Sequence, residues 1–173
     1  MKHRGFTLWF TGLSGSGKTA VSNRVHLRLQ DMGVTNVEIL DGEAVMRHLY
    51  DGHGFTREDI NRDTLRIGWV AHLLARNGVP SLVAAVSPFR ESRDEVRSMV
   101  EHASGAGSFV EVHVDCPPGV CRERTPGVSP EGAGEPYEPP HRPEVRLKTD
   151  ASTPEECADR VVEFLTERGL VTL

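Results

Sequence analysis

"GLSGSGKT", residues 12 to 19, is the stretch that decides the fold. It matches the pattern G-x-x-x-x-G-K-[ST], and it lies between an apolar run that predicts a strand and a segment that predicts a helix. Glycines let the backbone wind around a phosphate with its N–H groups turned inward, and the helix that follows adds its positive end. The stretch therefore predicts a phosphate-binding loop; the alternative is a glycine-rich turn that matches by chance.

The side chains of this loop indicate a nucleoside triphosphate. We expect Lys18 to neutralise the β- and γ-phosphates and to act in catalysis, and the Thr19 hydroxyl to bind Mg²⁺. ATP and Mg²⁺ are therefore the predicted cofactors. The predicted phosphate-binding residues are Gly12, Ser14, Gly15, Ser16, Gly17, Lys18, Thr19 and Ala20.

Composition limits the remaining function classes. The chain has 173 residues, a net charge of -5 and 26% charged residues, which is typical of a soluble protein and argues against a nucleic-acid partner held by a basic surface. The three cysteines, Cys116, Cys121 and Cys157, have neither zinc-site nor CxxC spacing and read as reduced thiols. The apolar run near the N-terminus is too short for a signal peptide or a membrane span. We expect a cytoplasmic protein with no membrane partner.

Short β-rich segments alternate with longer amphipathic ones along the whole chain. The strands are predicted at Phe6 to Thr11, Val37 to Leu40, Pro80 to Val86, Phe109 to Val114 and Val145 to Lys148. The helices are predicted at about 19–31, 43–50, 57–77, 90–102, 117–123 and 154–168. This order predicts an α/β fold, with a five-stranded parallel sheet covered by helices on both faces and one domain over residues 1–173. The segment from Thr125 to Pro143 is rich in proline and glycine and predicts an exposed, lid-like loop.

A second chemical cluster follows the second predicted strand. Asp41 and Glu43 lie on either side of Gly42, which places two carboxylates at the edge of the sheet where ligands of open α/β folds collect. In phosphoryl transfer, one carboxylate can orient or deprotonate the acceptor hydroxyl and another can serve the metal. We predict Asp41 as a catalytic residue and as a Mg²⁺ partner of Thr19. The alternative is a strand-end turn with a helix-capping acid.

These motifs, taken together and in order, resemble adenylyl-sulfate kinase. The matching segments are "GLSGSGKT", "LDGEAV", "GF" at 54–55, "RIG" at 66–68, "SPFRESRD" at 87–94, "FVEVHVDCP" with "VCRER", and "PYEPP" before "VRLKTD". The resemblance covers nearly the whole chain. It implies a P-loop kinase fold, ATP with Mg²⁺, and phosphorylation of the ribose 3′-hydroxyl of adenylyl sulfate (adenosine 5′-phosphosulfate, APS).

The resemblance also implies roles for single residues. Asp41 matches the proposed base or metal partner, Phe55 matches the aromatic that stacks on the acceptor's adenine, and Arg124 matches the arginine that lies against the ATP adenine. The residues from Ser87 to Arg90 match the segment that cups the acceptor. The predicted acceptor-binding residues are Glu43, Arg47, Phe55, Arg66, Ser87, Pro88, Phe89 and Arg90.

The sequence departs from the family mainly on the acceptor side. Met46 and Ile60 occupy positions where the family has acceptor-binding arginines, and Asp63 replaces an asparagine. The lid is also short and lacks the family's lysine and second stacking phenylalanine. We therefore predict a kinase whose acceptor is a small-molecule alcohol other than adenylyl sulfate, with a nucleotide or another anion as candidates, and we expect a homodimer.

Two alternatives stay open on the sequence. The first is a true adenylyl-sulfate kinase in which Arg47, Arg57 or Arg62 takes over the lost contacts. The second is a non-catalytic nucleotide-sensing module that kept the ATP pocket, because a short lid would also suit a decayed kinase.

Overall fold

A five-stranded, all-parallel sheet forms the centre of the protein, in a computed structural model that describes residues 4–49, 54–128 and 136–172. The strands are β1 (Thr7–Thr11), β2 (Glu38–Asp41), β3 (Ser81–Ala84), β4 (Phe109–Asp115) and β5 (Val145–Lys148), in the spatial order β2-β3-β1-β4-β5. The strand order reverses direction around β1, so the loop that follows β1 opens into the crevice at the carboxyl edge of the sheet. The predicted sheet is confirmed.

Six helices among the described residues cover the sheet. They are α1 (Lys18–Asp31), α2 (Gly42–Leu49), α3 (Arg57–Arg76), α4 (Arg90–Ser104), α5 (Pro118–Arg124) and α6 (Pro154–Glu167). Residues of α1 and α6 share one apolar core with the sheet, whereas residues of α3 and α4 share a second core on the other face. The prediction of helices on both faces is therefore confirmed. Among the described residues, no helix is long and apolar enough to cross a membrane.

Strand β1 contributes to both cores. Leu8 and Phe10 point into the core under α1 and α6, and Trp9 points into the core under α3 and α4. All three side chains are fully buried, as expected for a central parallel strand. The phosphate-loop motif thus begins directly after a central strand whose residues are all buried.

Some element boundaries differ from the prediction. The third strand ends at Ala84 instead of residue 86, because the chain leaves the sheet and turns at Ser87, whose φ is 40°. The first two helices begin one residue earlier than predicted, at Lys18 and Gly42. Helix α6 begins as predicted, because the Thr153 side chain accepts a hydrogen bond from the backbone N–H of Glu156 in a capping box.

The predicted lid-like loop is described only at its two ends. Residues 125–128 and 136–143 form neither helix nor strand, and residues 129–135 lie outside the described residues. The C-terminal end of the loop returns to the sheet edge, where the backbone N–H of Glu138 donates to the Pro88 carbonyl at 2.8 Å.

Candidate active site

A cleft of about 440 Å³ opens at the carboxyl edge of the sheet, next to the phosphate loop. It is lined by loop residues, by the residues that follow β2 and β3, and by the end of α5: Ser14, Gly15, Gly17, Lys18, Thr19, Ala20, Asp41, Glu43, Ala84, Ala85, Val86 and Arg124. The structure therefore brings most of the predicted phosphate-binding residues together with Asp41, Glu43 and Arg124.

The loop depends on glycine at two positions. Gly15 and Gly17 have φ angles of 80° and 97°, in the left-handed region that residues with a Cβ rarely adopt. A Cβ at Gly15 would lie only 2.6 Å from the Cys121 carbonyl oxygen and 2.8 Å from the Thr125 hydroxyl. Helix α5 thus packs directly behind the loop and holds its shape.

Lys18 is buried in this loop and its charge is poorly solvated. Its Nζ donates to the carbonyl oxygens of Gly12 at 3.0 Å and Leu13 at 2.8 Å. Burial lowers the pKa of Lys18 to about 8, and the neighbouring Cys121 side chain and Asp41 carboxylate oppose this shift. A phosphate next to Nζ would supply the full counter-charge that the protein itself does not provide.

Asp41 uses its two carboxylate oxygens differently. Oδ1 accepts a hydrogen bond from the backbone N–H of Ala44 at 3.0 Å, which caps the first turn of α2. Oδ2 lies 3.5 Å from the Thr19 hydroxyl. The capping role and the cleft-facing role, which were alternatives in the sequence, coexist in one side chain.

The described residues are compatible with a bound Mg²⁺·nucleotide. No group of three or more His, Cys, Asp or Glu side chains that could hold a metal occurs among them. Mg²⁺ in nucleotide sites is held by one or two protein oxygens together with phosphates and water, so the predicted pair, Thr19 and Asp41, is compatible with such a site. The buried Ser16 hydroxyl has no hydrogen-bond partner in the protein, so this loop also retains a free polar group.

Arg124 is fixed at the rim of the cleft. Its Nη2 donates to the Thr149 carbonyl at 2.7 Å, and Nη1 lies 3.6 Å from the Cys116 sulfur. The Thr149 hydroxyl in turn donates to the Ser16 carbonyl at 2.6 Å. These contacts connect the end of β5 and the end of α5 to the phosphate loop, and they keep the guanidinium beside the predicted position of the nucleotide.

The predicted acceptor segment, Ser87 to Arg90, follows β3 and is held by side chains of β1. The Ser87 hydroxyl accepts from Trp9 Nε1 at 2.9 Å and lies 3.2 Å from the Thr11 hydroxyl. Phe89 is fully buried, with the Arg57 guanidinium 3.9 Å above its ring centre. In this structure Ser87 and Phe89 therefore shape the segment from the inside.

The other predicted acceptor residues are spread around this segment. Phe55 is 73% exposed, at the start of the turn before α3, and Arg66 forms an ion pair with Asp63 at 3.0 Å. Arg47 forms an exposed ion pair with Glu43 at 3.8 Å, one helical turn apart on α2. Of the predicted acceptor set, Glu43 alone is among the lining residues of the cleft.

Sequence reasoning missed a cluster of charged residues next to the acceptor segment. Glu138 of the lid lies 3.0 Å from Arg57 Nη2 and 3.7 Å from Arg90 Nε, and Glu91 also pairs with Arg57 at 3.0 Å. A hydrogen bond from the Arg90 backbone N–H lowers the pKa of Glu138. Hydrogen bonds from the side chains of Asn61 and, second, Arg57 lower the pKa of Glu91. The tripeptide "PYE" at residues 136–138 was the one sequence feature that could have indicated this cluster. Nothing in the sequence showed that its glutamate contacts arginines on α3 and α4.

The family can be assigned on this geometry and on sequence comparison. A family model described as adenylylsulphate kinase matches residues 4–148. The chain belongs to the adenylylsulphate kinase family. The adenylyl-sulfate kinase of Picosynechococcus sp. is 43% identical over 99% of both chains, and that of Halothermothrix orenii is 39% identical over 98% of this chain and 94% of its own.

Solved structures agree with the family assignment. The Mycobacterium tuberculosis APS kinase in complex with AMPPNP and APS superposes with a TM-score of 0.83 at 36% identity, covering 94% of this chain and 98% of its own. A hexameric APS kinase from Thiobacillus denitrificans has a TM-score of 0.79 at 32% identity, covering 99% of this chain and 30% of its own. The predicted P-loop kinase fold, and the prediction of an ATP-dependent phosphotransferase acting on an alcohol, are confirmed for this adenylylsulphate kinase family member.

Proposed function

We propose that this family member is an adenylyl-sulfate kinase, which transfers the γ-phosphoryl group of ATP to the 3′-hydroxyl of adenylyl sulfate. The observation that carries the proposal is the similarity over the full length to adenylyl-sulfate kinases. The relative solved with AMPPNP and APS supports the same donor and acceptor. These relatives favour a true adenylyl-sulfate kinase over the predicted kinase with a changed acceptor.

The phosphate loop would hold the donor. Backbone N–H groups between Gly12 and Thr19 surround the phosphates, and the N-terminus of α1 adds its positive end. Lys18 would leave its two carbonyl partners for the β- and γ-phosphates and would regain full protonation there, because the phosphates restore the counter-charge that burial removes. Arg124 would lie beside the adenine.

Asp41 would orient the acceptor. Its Oδ2 faces the cleft near the Thr19 hydroxyl, so a ribose hydroxyl could donate to it while α2 keeps the carboxylate in place. Mg²⁺, held by Thr19 and Asp41, supplies charge neutralisation for the phosphates when it is bound. The described protein groups then provide positioning and electrostatics, which account for most of phosphoryl-transfer catalysis.

The acceptor would lie between Phe55 and the segment from Ser87 to Arg90. Phe55 has the exposed ring needed to stack on an adenine. The Met46 side chain is buried in the apolar core and offers no charge to the phosphosulfate, so Arg57 and Arg90 are the cations proposed to attract it. Both already share Glu138, and the anion would therefore compete with a carboxylate for them.

A kinase with another acceptor stays the second candidate. It is favoured by Met46 in the core and by Ile60, which leave two family arginine positions without charge. The proposals of a homodimer and of a cytoplasmic location also stay predictions, and sedimentation of the purified chain tests the first.

Product analysis tests the proposed function. The protein is incubated with ATP·Mg²⁺ and one of three acceptors, adenylyl sulfate, AMP or adenosine, and ADP release and product mass are followed together. We expect ADP release to require adenylyl sulfate and to yield its 3′-phosphorylated product. ADP release that is equal with all three acceptors, or with none, and no phosphorylated adenylyl sulfate would contradict the proposal.

A further inference from the structure

Arg93, on the first turns of α4, is an arginine that the proposed chemistry does not use. Its side chain is 1% exposed, and its guanidinium donates in three directions. Nε donates to Glu111 Oε1 on β4 at 2.8 Å, Nη1 to the Ser87 carbonyl, and Nη2 to the Glu138 carbonyl at 2.7 Å. One buried cation thus joins a sheet strand, the acceptor segment and the end of the lid.

The first of the two carbonyl partners of Arg93 is Ser87, whose backbone is strained. Ser87 is the one non-glycine residue with a positive φ among residues 4–49, 54–128 and 136–172. A non-glycine residue keeps such a backbone conformation only where several surrounding contacts hold it in place. The Ser87 hydroxyl is fixed from the β1 side by Trp9 and Thr11, and its carbonyl is fixed from the α4 side by Arg93.

The second partner is the lid anchor, which we define as Tyr137 and Glu138. The Glu138 N–H donates to the Pro88 carbonyl at 2.8 Å, and its carboxylate accepts from the Arg90 N–H at 3.0 Å. The Tyr137 hydroxyl lies 3.1 Å from the Thr11 hydroxyl, and its ring centre lies 5.7 Å from the Arg93 guanidinium. The lid anchor therefore rests directly on the acceptor segment.

We propose that Arg93 is a positioning residue for the acceptor site, because it clamps the acceptor segment and the lid anchor onto Glu111. Because its side chain is only 1% exposed, we expect it to contact neither substrate. It acts by fixing the Ser87 carbonyl and the Glu138 carbonyl relative to one another, and so fixes the Arg57 and Arg90 side chains that Glu138 holds. The kinetic part of this inference rests on the proposed function, whereas the structural part does not.

The geometry requires arginine. A planar guanidinium offers donors in fixed directions, whereas a lysine ammonium is one point on a flexible stem. Lysine at position 93 keeps the positive charge opposite Glu111, but it lacks the fork that reaches both carbonyls. Arg93→Lys is therefore the informative variant.

Arg97 provides a matched control one turn along α4. Its side chain is 23% exposed, against 1% for Arg93, and it binds Glu144 at 2.7 Å and the Phe109 carbonyl at 3.3 Å, with Glu111 at 3.6 Å. None of its described contacts is with Ser87 or Glu138. Arg97→Lys should disturb α4 and β4 packing to a similar degree without releasing the clamp.

Hydrogen–deuterium exchange of the substrate-free protein tests the clamp directly. In Arg93→Lys we expect peptides that cover residues 85–92 and 136–142 to exchange at least tenfold faster than in wild type, and within twofold of wild type in Arg97→Lys. Equal exchange in the two variants would overturn the clamp. This result does not depend on which acceptor the enzyme uses.

Steady-state kinetics tests the functional consequence. We expect Arg93→Lys to raise the KM for adenylyl sulfate at least tenfold and to leave the affinity for ADP·Mg²⁺ within twofold of wild type, with Arg97→Lys close to wild type in both. An unchanged KM would overturn the positioning role, even where exchange is faster. A wild-type protein that does not phosphorylate adenylyl sulfate would instead contradict the proposed function, and the exchange measurement would still decide the clamp.

A second variant keeps the proposal testable if Arg93→Lys does not fold. Glu138→Gln leaves the Arg93–Glu111 pair intact and weakens the link of the lid anchor to Arg57 and the Arg90 N–H. The same two readouts apply, with faster exchange at 85–92 and a raised acceptor KM expected. Wild-type values for both would overturn the part of the proposal in which the Glu138 carboxylate fixes Arg57 and the acceptor segment.

Discussion

The Thr19 hydroxyl lies 3.5 Å from Oδ2 of Asp41, although the two residues belong to different strand-helix units. Thr19 lies in the first turn of α1 after β1, and Asp41 ends β2, with β3 between these strands in the sheet. The pair joins the phosphate loop to the acceptor side of the cleft.

Asp41→Asn should remove the charge and keep the shape of the side chain. The amide oxygen can still cap α2, so the fold should persist, but the acceptor hydroxyl loses its anionic partner. We expect turnover to fall by about a hundredfold or more, with ADP·Mg²⁺ affinity nearly unchanged. Asp31→Asn, at the exposed end of α1, is the control. Turnover within a few-fold of wild type would exclude Asp41 from the mechanism.

Lys18→Ala should weaken nucleotide binding. A charged hydrogen bond to phosphate is worth about 1.5–3 kcal/mol, which corresponds to a loss of affinity of about 10- to 100-fold. Calorimetry with ADP·Mg²⁺ measures it, and Lys148→Ala, at the exposed end of β5, is the matched control. Comparable affinities of wild type and Lys18→Ala would show that the phosphates do not lie in the loop.

Nucleotide binding should also take up a proton in mildly alkaline solution. The pKa of Lys18 is lowered to about 8 in the free protein, so above that pH the amine is mostly neutral, while bound phosphates favour the protonated form. By linkage, ADP affinity should fall by up to about tenfold for each pH unit above 8.

Calorimetry at pH 9 in buffers of different ionisation enthalpy measures this proton uptake. Lys18→Arg, whose side chain stays protonated at this pH, is the control and should show none. Equal proton uptake by wild type and Lys18→Arg would assign the effect to another group.

Gly15→Ala should distort the phosphate loop. The new Cβ combines a positive φ with a 2.6 Å approach to the Cys121 carbonyl, so either the loop or α5 must move. We expect a loss of about 1–3 kcal/mol in the free energy of unfolding and at least tenfold weaker ADP binding. Gly119→Ala on α5 has no atom within 4 Å of its new Cβ and should be neutral in thermal melts and in binding.

The donor half of the site was predictable because it is local in sequence. The eight residues from Gly12 to Thr19 contain the glycines, the lysine and the hydroxyl, and the flanking strand and helix follow from apolar patterning. Asp41 was predictable because parallel strands end at a common edge. Both inferences require only the local motif and the order of strands and helices along the chain.

The acceptor half was harder to predict because it is assembled from distant segments. Arg57, Arg90 and Glu138 meet only because the lid returns to the end of β3, and no spacing rule in the sequence encodes that return. The strain at Ser87 was also invisible, since serine is not a residue that usually marks a left-handed turn. The changed acceptor was inferred from single positions, which carry less weight than similarity over the whole chain.

The specificity constant for adenylyl sulfate tests the central claim most directly. Initial rates of 3′-phosphorylation are measured at micromolar adenylyl sulfate with saturating ATP·Mg²⁺, and a reaction without the protein serves as the blank. We predict a kcat/KM in the range of ordinary enzymes, about 10⁴–10⁸ M⁻¹s⁻¹. A value indistinguishable from the blank, in a protein that still binds ADP·Mg²⁺, would contradict the assignment of adenylyl sulfate as the acceptor.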